Sequence, residues 1–176
     1  FTIVDKLSGE EHNAEVFVPG EHNVLNAVVA YAVGRALKLK PEEILAGIAE
    51  YRPPSGMRQN IIHPCGYHIF ADCYNSSLLA IENTLAAMDD IPVANGGRRI
   101  AVLGDILALG DISEETHHQI AGVLAKHKVD LLLAYGINIR LTVEDAAKLG
   151  IESKYFADRQ KLEDEIRAVV KPEDLV

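Results

Sequence analysis

From residue 99 onward the chain alternates short, almost unbroken apolar runs with longer stretches of helical spacing. That alternation limits the fold more than any other feature. Ile100-Ala-Val-Leu103 and Leu131-Leu-Leu133 have no polar residue to turn toward water. Strands of this kind are covered on both faces, as in a parallel sheet flanked by crossover helices. The spacing predicts strands over Arg99–Leu103, Val129–Ala134 and Ser153–Phe156. It predicts helices over Ser113–Lys126, near Val143–Leu149 and from about Asp158 to Val170. Ser113 reads as the N-cap of the first of these, with Glu114 and Glu115 in its opening turn. The expected class is α/β with a parallel-rich sheet.

The first third has a different grammar. Residues 1–5 and 14–18 alternate like two strands, and Pro19-Gly20 then breaks the chain. From His22 to Leu37 the residues Val24, Leu25, Val28, Val29, Ala32, Val33 and Ala36 recur at helical spacing. Pro41 fits the first turn of a second helix, with Ile44, Leu45 and Ile48 on its inner face. Tyr51-Arg-Pro-Pro-Ser-Gly56 interrupts regular structure and marks a boundary, giving units 1–51 and 52–176. Beyond it, Met57–Ile62 and Tyr67–Ala71 read as a hairpin around His63-Pro-Cys-Gly66, followed by a helix from Ser76 to Asp89.

With 17 Lys and Arg against 26 Asp and Glu, the net charge is -9, which argues against nucleic-acid and anionic-membrane surfaces. Cys65 and Cys73 are too few for a disulfide framework, so a cytoplasmic setting is expected. The chain opens inside a strand-like run, lacks an initiator Met, and closes on Lys171-Pro-Glu-Asp-Leu-Val176. It reads as a piece of something longer.

In such sheets ligands sit at the carboxyl ends of strands, so the loops after Ala71, Leu103, Ala134 and Phe156 are the functional candidates. Asp72-Cys-Tyr-Asn75 offers a carboxylate and an amide that either reach a ribose hydroxyl or order the next helix. Gly104 and Asp105 follow the second strand. The glycine permits close approach of a ligand and Asp105 suits an amine or a metal, although glycine after a strand is also ordinary turn chemistry. Gly20-Glu-His-Asn-Val-Leu-Asn26 opens the long helix with His22, Asn23 and Asn26 around one turn. Asn23 and Asn26 share a face, and their amides can supply the donor and acceptor that an adenine edge takes; capping by Asn23 is the plainer reading. Arg58 is either a phosphate clamp or an exposed edge-strand arginine. His117 aligns with Ile120, Ala121 and Leu124, as a half-buried structural histidine would. No Gly-x-x-x-x-Gly-Lys-Ser/Thr phosphate loop occurs in the sequence.

Taken in order, these segments resemble the Mur ligase family. The match runs through Gly20-Glu-His-Asn-Val-Leu-Asn-Ala27, Arg58, Asp72-x-Tyr-Asn75, and Val102-Leu-Gly-Asp-Ile-Leu-Ala-Leu-Gly110 with Ser113-Glu-Glu-Thr-His117. It covers essentially the whole chain. The resemblance implies the tail of a central ATPase domain, 1–51, joined to most of a Rossmann-like C-terminal ligase domain, 52–176. It implies an ADP-forming amide ligase of peptidoglycan precursor synthesis, using ATP and Mg²⁺ to activate a carboxylate as an acyl phosphate. The implied partners are ATP, a UDP-MurNAc-peptide and an amino component of D-alanyl-D-alanine type, with neither nucleic acid nor membrane. By the same resemblance His22, Asn23 and Asn26 lie at the adenine and Arg58 is the catalytic residue at the γ-phosphate. Asp72 lies at the ribose or the domain junction, Tyr74 and Asn75 are further cofactor-binding residues, and Gly104 and Asp105 belong to the amino component; no metal ligand is assigned.

Tyr74-Asn-Ser-Ser-Leu78 departs from the family's Tyr-Asn-Ala-Asn-Pro, and Ala108 stands where Glu is common. A sibling ligase, or a cyanophycin- or folylpolyglutamate-synthase type, therefore stays open. Outside the family, the alternative is a stand-alone α/β regulatory module with Asp105 as its acidic strand-end residue. Without a phosphate loop, the stretch by itself is expected to be inactive, and residues 52–56 are expected to act as the hinge.

Overall fold

The computed structural model describes residues 1–53 and 56–176. At its start β1 (Thr2–Asp5) and β2 (Glu10–Asn13) pair antiparallel, Thr2 opposite Asn13. Asp5 shapes the turn: its carboxylate accepts the Leu7 and Ser8 N–H groups, and the Gly9 N–H returns to its carbonyl. The second strand is therefore not the 14–18 run that alternation suggests. Turn geometry sets the register here, and the strand it produces is polar because it is largely exposed.

Helices α1 (Glu21–Ala36) and α2 (Pro41–Glu50) follow, the latter with Pro41 in its first turn. They bury Ala27, Tyr31, Ile44 and Ile48 together with Ile3. For α1 this is not the expected stripe, since Leu25, Val29 and Val33 are exposed. The helix is apolar on several sides, so periodicity alone does not say which side meets α2.

The hairpin β3 (Asn60–Ile62) and β4 (Ile69–Ala71) closes over a 3-10 turn at Pro64–Gly66. Helix α3 (Leu78–Asp89) is capped by Ser77, whose hydroxyl accepts the Ala80 N–H at 3.1 Å. The strands β5 (Ile100–Gly104), β6 (Leu131–Tyr135) and β7 (Glu152–Phe156) lie parallel in that order. Helices α4 (Ser113–Lys126) and α5 (Ile139–Lys148) connect them and α6 (Arg159–Val169) follows. This is the α/β fold with a parallel sheet that the alternation predicts. Along β6, Leu132 and Ala134 join the core beneath α3, α4 and α5, while Leu131 and Leu133 join Ile100 and Leu162 on the α6 side. The strand is apolar throughout because both faces are covered.

Two helix starts differ from expectation. Ser113 lies inside α4, led in by a 3-10 turn at Gly110–Ile112, and Ile112 takes the cap position. Helix α5 begins at Ile139 rather than near Val143, because its capping group comes from a distant strand end, as described below.

The last residues form the seam of the fold. The Leu175 N–H donates to the Arg98 carbonyl and its carbonyl accepts the Ile100 N–H; Val176 exchanges bonds with His68 and Phe70 on the other side. Asp174–Val176 thus runs parallel between β4 and β5 and joins the hairpin to the sheet. Asp174 is 1% exposed, and its carboxylate accepts the Arg98 N–H, the Arg98 guanidinium at 2.8 Å and the Lys171 N–H.

Ile3, Ala27, Tyr31, Ile44 and Ile48 form one buried cluster, and the clusters from Phe70 onward flank the sheet. Of the expected hinge 52–56, Pro54 and Ser55 lie outside the described residues. Among the described residues no helix is long and apolar enough to cross a membrane.

Candidate functional site

A polar cleft of about 350 Å³ opens where the start of α1 faces the loops flanking the β3–β4 hairpin. Its wall on one side carries His22, Asn23 and Asn26; on the other it carries Arg58, Gln59, Asp72 and Asn75, with Ser76, Ser77 and Asn83 beyond. Gly20 makes the first wall possible. It holds φ at +102°, and a side-chain carbon there would strike the His22 ring. Asn23 Nδ2 donates to the Pro19 carbonyl at 2.7 Å, and Asn26 Nδ2 donates to Asn23 Oδ1 at 3.4 Å. An adjoining apolar hollow of about 450 Å³ between α1 and α2 shares Asn23 and Asn26 with the cleft. A flat ring lodged there has apolar walls and an amide edge, the combination that suits a nucleobase.

On the other side, the Arg58 guanidinium lies 4.0 Å from the centre of the Tyr74 ring. Met57 sets this pairing, because its carbonyl accepts the N–H groups of both Cys73 and Tyr74. Tyr74 itself is 61% exposed and outside the cleft lining. Asp72 follows β4 and its Oδ2 accepts the Thr84 hydroxyl at 2.5 Å. Asn75 Oδ1 accepts the Ser76 N–H at 2.9 Å. The helix that follows is capped by Ser77, so neither Asp72 nor Asn75 is spent on capping it.

Gly104 and Asp105 stand apart, at the carboxyl end of β5 and outside the cleft lining. The Asp105 carboxylate accepts three backbone N–H groups at the start of α5: Ile137 at 2.8 Å, Asn138 at 2.9 Å and Ile139 at 2.8 Å. A side chain at Gly136 would collide with that carboxylate, so the loop approaches only because Gly136 lacks one. His117 below it is fully buried, more so than its spacing suggests. Its Nε2 accepts the Ile106 N–H, and its Nδ1 lies 2.7 Å from the Ser113 carbonyl, which together orient the ring. Asp105→Ala should therefore cost about 0.5–2 kcal/mol of stability, the worth of a helix cap, with Asp105→Asn milder because one acceptor oxygen survives. Chemical denaturation of both variants tests this; an unchanged midpoint for Asp105→Ala would mean that the three bonds contribute nothing.

Gln59 is the residue that the sequence did not single out. It projects from beside Arg58 across the cleft. Gln59 Oε1 accepts from Asn23 Nδ2, and Gln59 Nε2 lies 2.6 Å from His22 Nε2. Its only sequence signal is adjacency to Arg58. Among the described residues no three or more His, Cys, Asp or Glu side chains converge as a metal cage would require. The described residues therefore offer no metal cage of their own.

The parallel sheet with its covering helices defines an α/β domain, and the two-walled polar cleft lies beside it. The chain belongs to the Mur ligase family: residues 57–176 match the Mur ligase glutamate ligase domain. The UDP-N-acetylmuramoyl-tripeptide--D-alanyl-D-alanine ligase of Bacillus subtilis is 30% identical over 131 residues, 74% of this chain and 28% of its own. The UDP-N-acetylmuramate--L-alanine ligase of Chlorobaculum tepidum is 57% identical over 59 residues, 33% of this chain and 12% of its own. A crystal structure of MurF from Acinetobacter baumannii superposes with a TM-score of 0.79 at 25% identity, covering 94% of this chain and 35% of that one. MurF from Thermotoga maritima, solved in complex with ADP, gives 0.71 at 23% identity, covering 94% and 36%. The chain thus spans about a third or less of the proteins that it matches.

Proposed function

We propose that the polypeptide carrying this chain is an ATP-dependent, ADP-forming amide ligase of peptidoglycan precursor synthesis, working in the cytoplasm. In this reading residues 1–51 end its ATP-binding domain and 52–176 belong to the domain that closes on it. One observation carries the proposal: side chains from both sides of the 51/52 boundary line one polar cleft. His22, Asn23 and Asn26 hold the base, Asp72 and Asn75 the sugar, and Arg58 swings from Tyr74 to the γ-phosphate as the domains close. ATP supplies the phosphoryl group that activates a carboxylate. The chain's own part is to orient the nucleotide, neutralise charge and exclude water, which is most of what phosphoryl transfer asks of a protein. Mg²⁺ in this scheme is held by residues outside this chain. Gly104 and the loop fixed by Asp105 form the wall nearest the amino component.

The proposed substrates are a UDP-MurNAc-tripeptide and D-alanyl-D-alanine. The short, strong match to an L-alanine-adding relative favours a second reading, in which UDP-MurNAc itself receives L-alanine. Phosphate release by the full-length polypeptide, measured with each substrate pair, separates the two. Turnover with tripeptide and D-alanyl-D-alanine is the expected result; turnover only with UDP-MurNAc and L-alanine moves the assignment to the sibling. Turnover with neither pair sinks both readings.

A further inference from the structure

Resting on the nucleotide reading of the cleft, we infer that Gln59 is a built-in stand-in for the base, so that nucleotide entry and release of the tie across the cleft are one event. A primary carboxamide carries an acceptor oxygen and a donor NH₂ side by side, the same pattern that adenine shows along one edge. In this structure the Gln59 amide uses both: its oxygen accepts from Asn23 and its nitrogen donates to His22. These are the side chains that the base needs. A base cannot bond them while Gln59 does.

The backbone gives a second, independent sign that Gln59 is held. Its φ is +45°, in the left-handed region that a residue with a side chain enters at a cost. Release of the Gln59 amide removes the cross-cleft restraint on this strained backbone, and its immediate neighbour is Arg58. The guanidinium of Arg58 rests on Tyr74 while the tie is intact. A nucleotide base that displaces the Gln59 amide therefore frees the segment bearing Arg58 at the moment when a γ-phosphate arrives. The gate also lowers apparent affinity, because only the untied fraction is competent to bind.

The test uses the full-length polypeptide and its Gln59→Met and Gln59→Ala variants, with circular dichroism to confirm folding and ADP as the probe. Calorimetry should show ADP binding tightened by about fivefold or more in both variants, the worth of one to two net hydrogen bonds. Without nucleotide, hydrogen exchange at residues 57–60 should be faster in the variants than in the parent. Weakened ADP binding would overturn the proposal by making Gln59 a ligand of the base. Unchanged binding and unchanged exchange would overturn it by reducing Gln59 to a passive contact. If the parent itself binds no ADP, the nucleotide reading fails, and the exchange data still report whether the tie exists.

Discussion

Leu175→Ala should destabilise the chain by about 2–5 kcal/mol, the usual range for emptying a buried leucine site. Leu175 is 2% exposed and sits in the core formed by Phe70, Ile81 and Leu85. Its backbone is bonded to β5, and its neighbour Val176 is bonded to β4. Truncating it therefore loosens the backbone seam between hairpin and sheet, as well as leaving a void. A drop of about 2–4 °C in Tm per kcal/mol follows for a chain of this size. Leu107→Ala is the control: Leu107 is 79% exposed, and its truncation should stay within about 0.5 kcal/mol. Equal effects of the two substitutions would remove the seam from any account of stability.

The same junction has an acid limit. Burial pushes the Asp174 carboxyl up, but the bonds from Arg98 and the backbone N–H groups outweigh it, and the group stays below the ordinary carboxylate value. A carboxylate depressed in the folded state contributes stability that is complete above its unfolded value near ~3.9. That contribution disappears as the pH falls through the folded value. Denaturation midpoints of the parent and of Asp174→Asn should differ at neutral pH and converge at strongly acidic pH; an equal gap at both would remove the acid limit.

If the proposed ligase activity holds, Arg58→Ala in the full-length polypeptide should lower turnover by about 100- to 1000-fold, the scale of one lost charge-assisted contact in a water-excluded site. Its effect on the KM for ATP should be much smaller. In this structure Arg58 rests on Tyr74, and in the proposed scheme its phosphate contact forms only on closure. Arg58→Lys should recover little, since an ammonium lacks the planar fork of the guanidinium. Asp72→Asn should be mild, because an amide oxygen can still accept the Thr84 hydroxyl. Near-normal turnover of a folded Arg58→Ala enzyme would make Arg58 a surface residue with no part in the reaction.

What the sequence reveals depends on how local the cause is. The strands β5 and β6 and the helices α2, α4 and α6 are written in short-range spacing, and they form close to where it places them. β2 is hidden because its pairing is set by Asp5 and a turn rather than by apolar alternation. The start of α5 is hidden because its cap, Asp105, lies 34 residues away from Ile139. The cleft is partly legible, since His22, Asn23, Asn26, Asp72 and Asn75 stand at element starts and strand ends. Gln59 is not, because an isolated glutamine carries no pattern and its partner His22 is 37 residues distant.

The seam has a consequence for how the polypeptide is made. Arg98, at the entrance to β5, and Asp174, which locks it, are 76 residues apart. At about 5–20 residues per second, a ribosome needs roughly 4–15 s to travel between them. For most of that interval β4 and β5 lack the strand that later lies between them, leaving two open edges of the kind that recruit foreign strands. Nascent chains stalled within this window should be the ones that chaperones hold and that aggregate when chaperones are scarce.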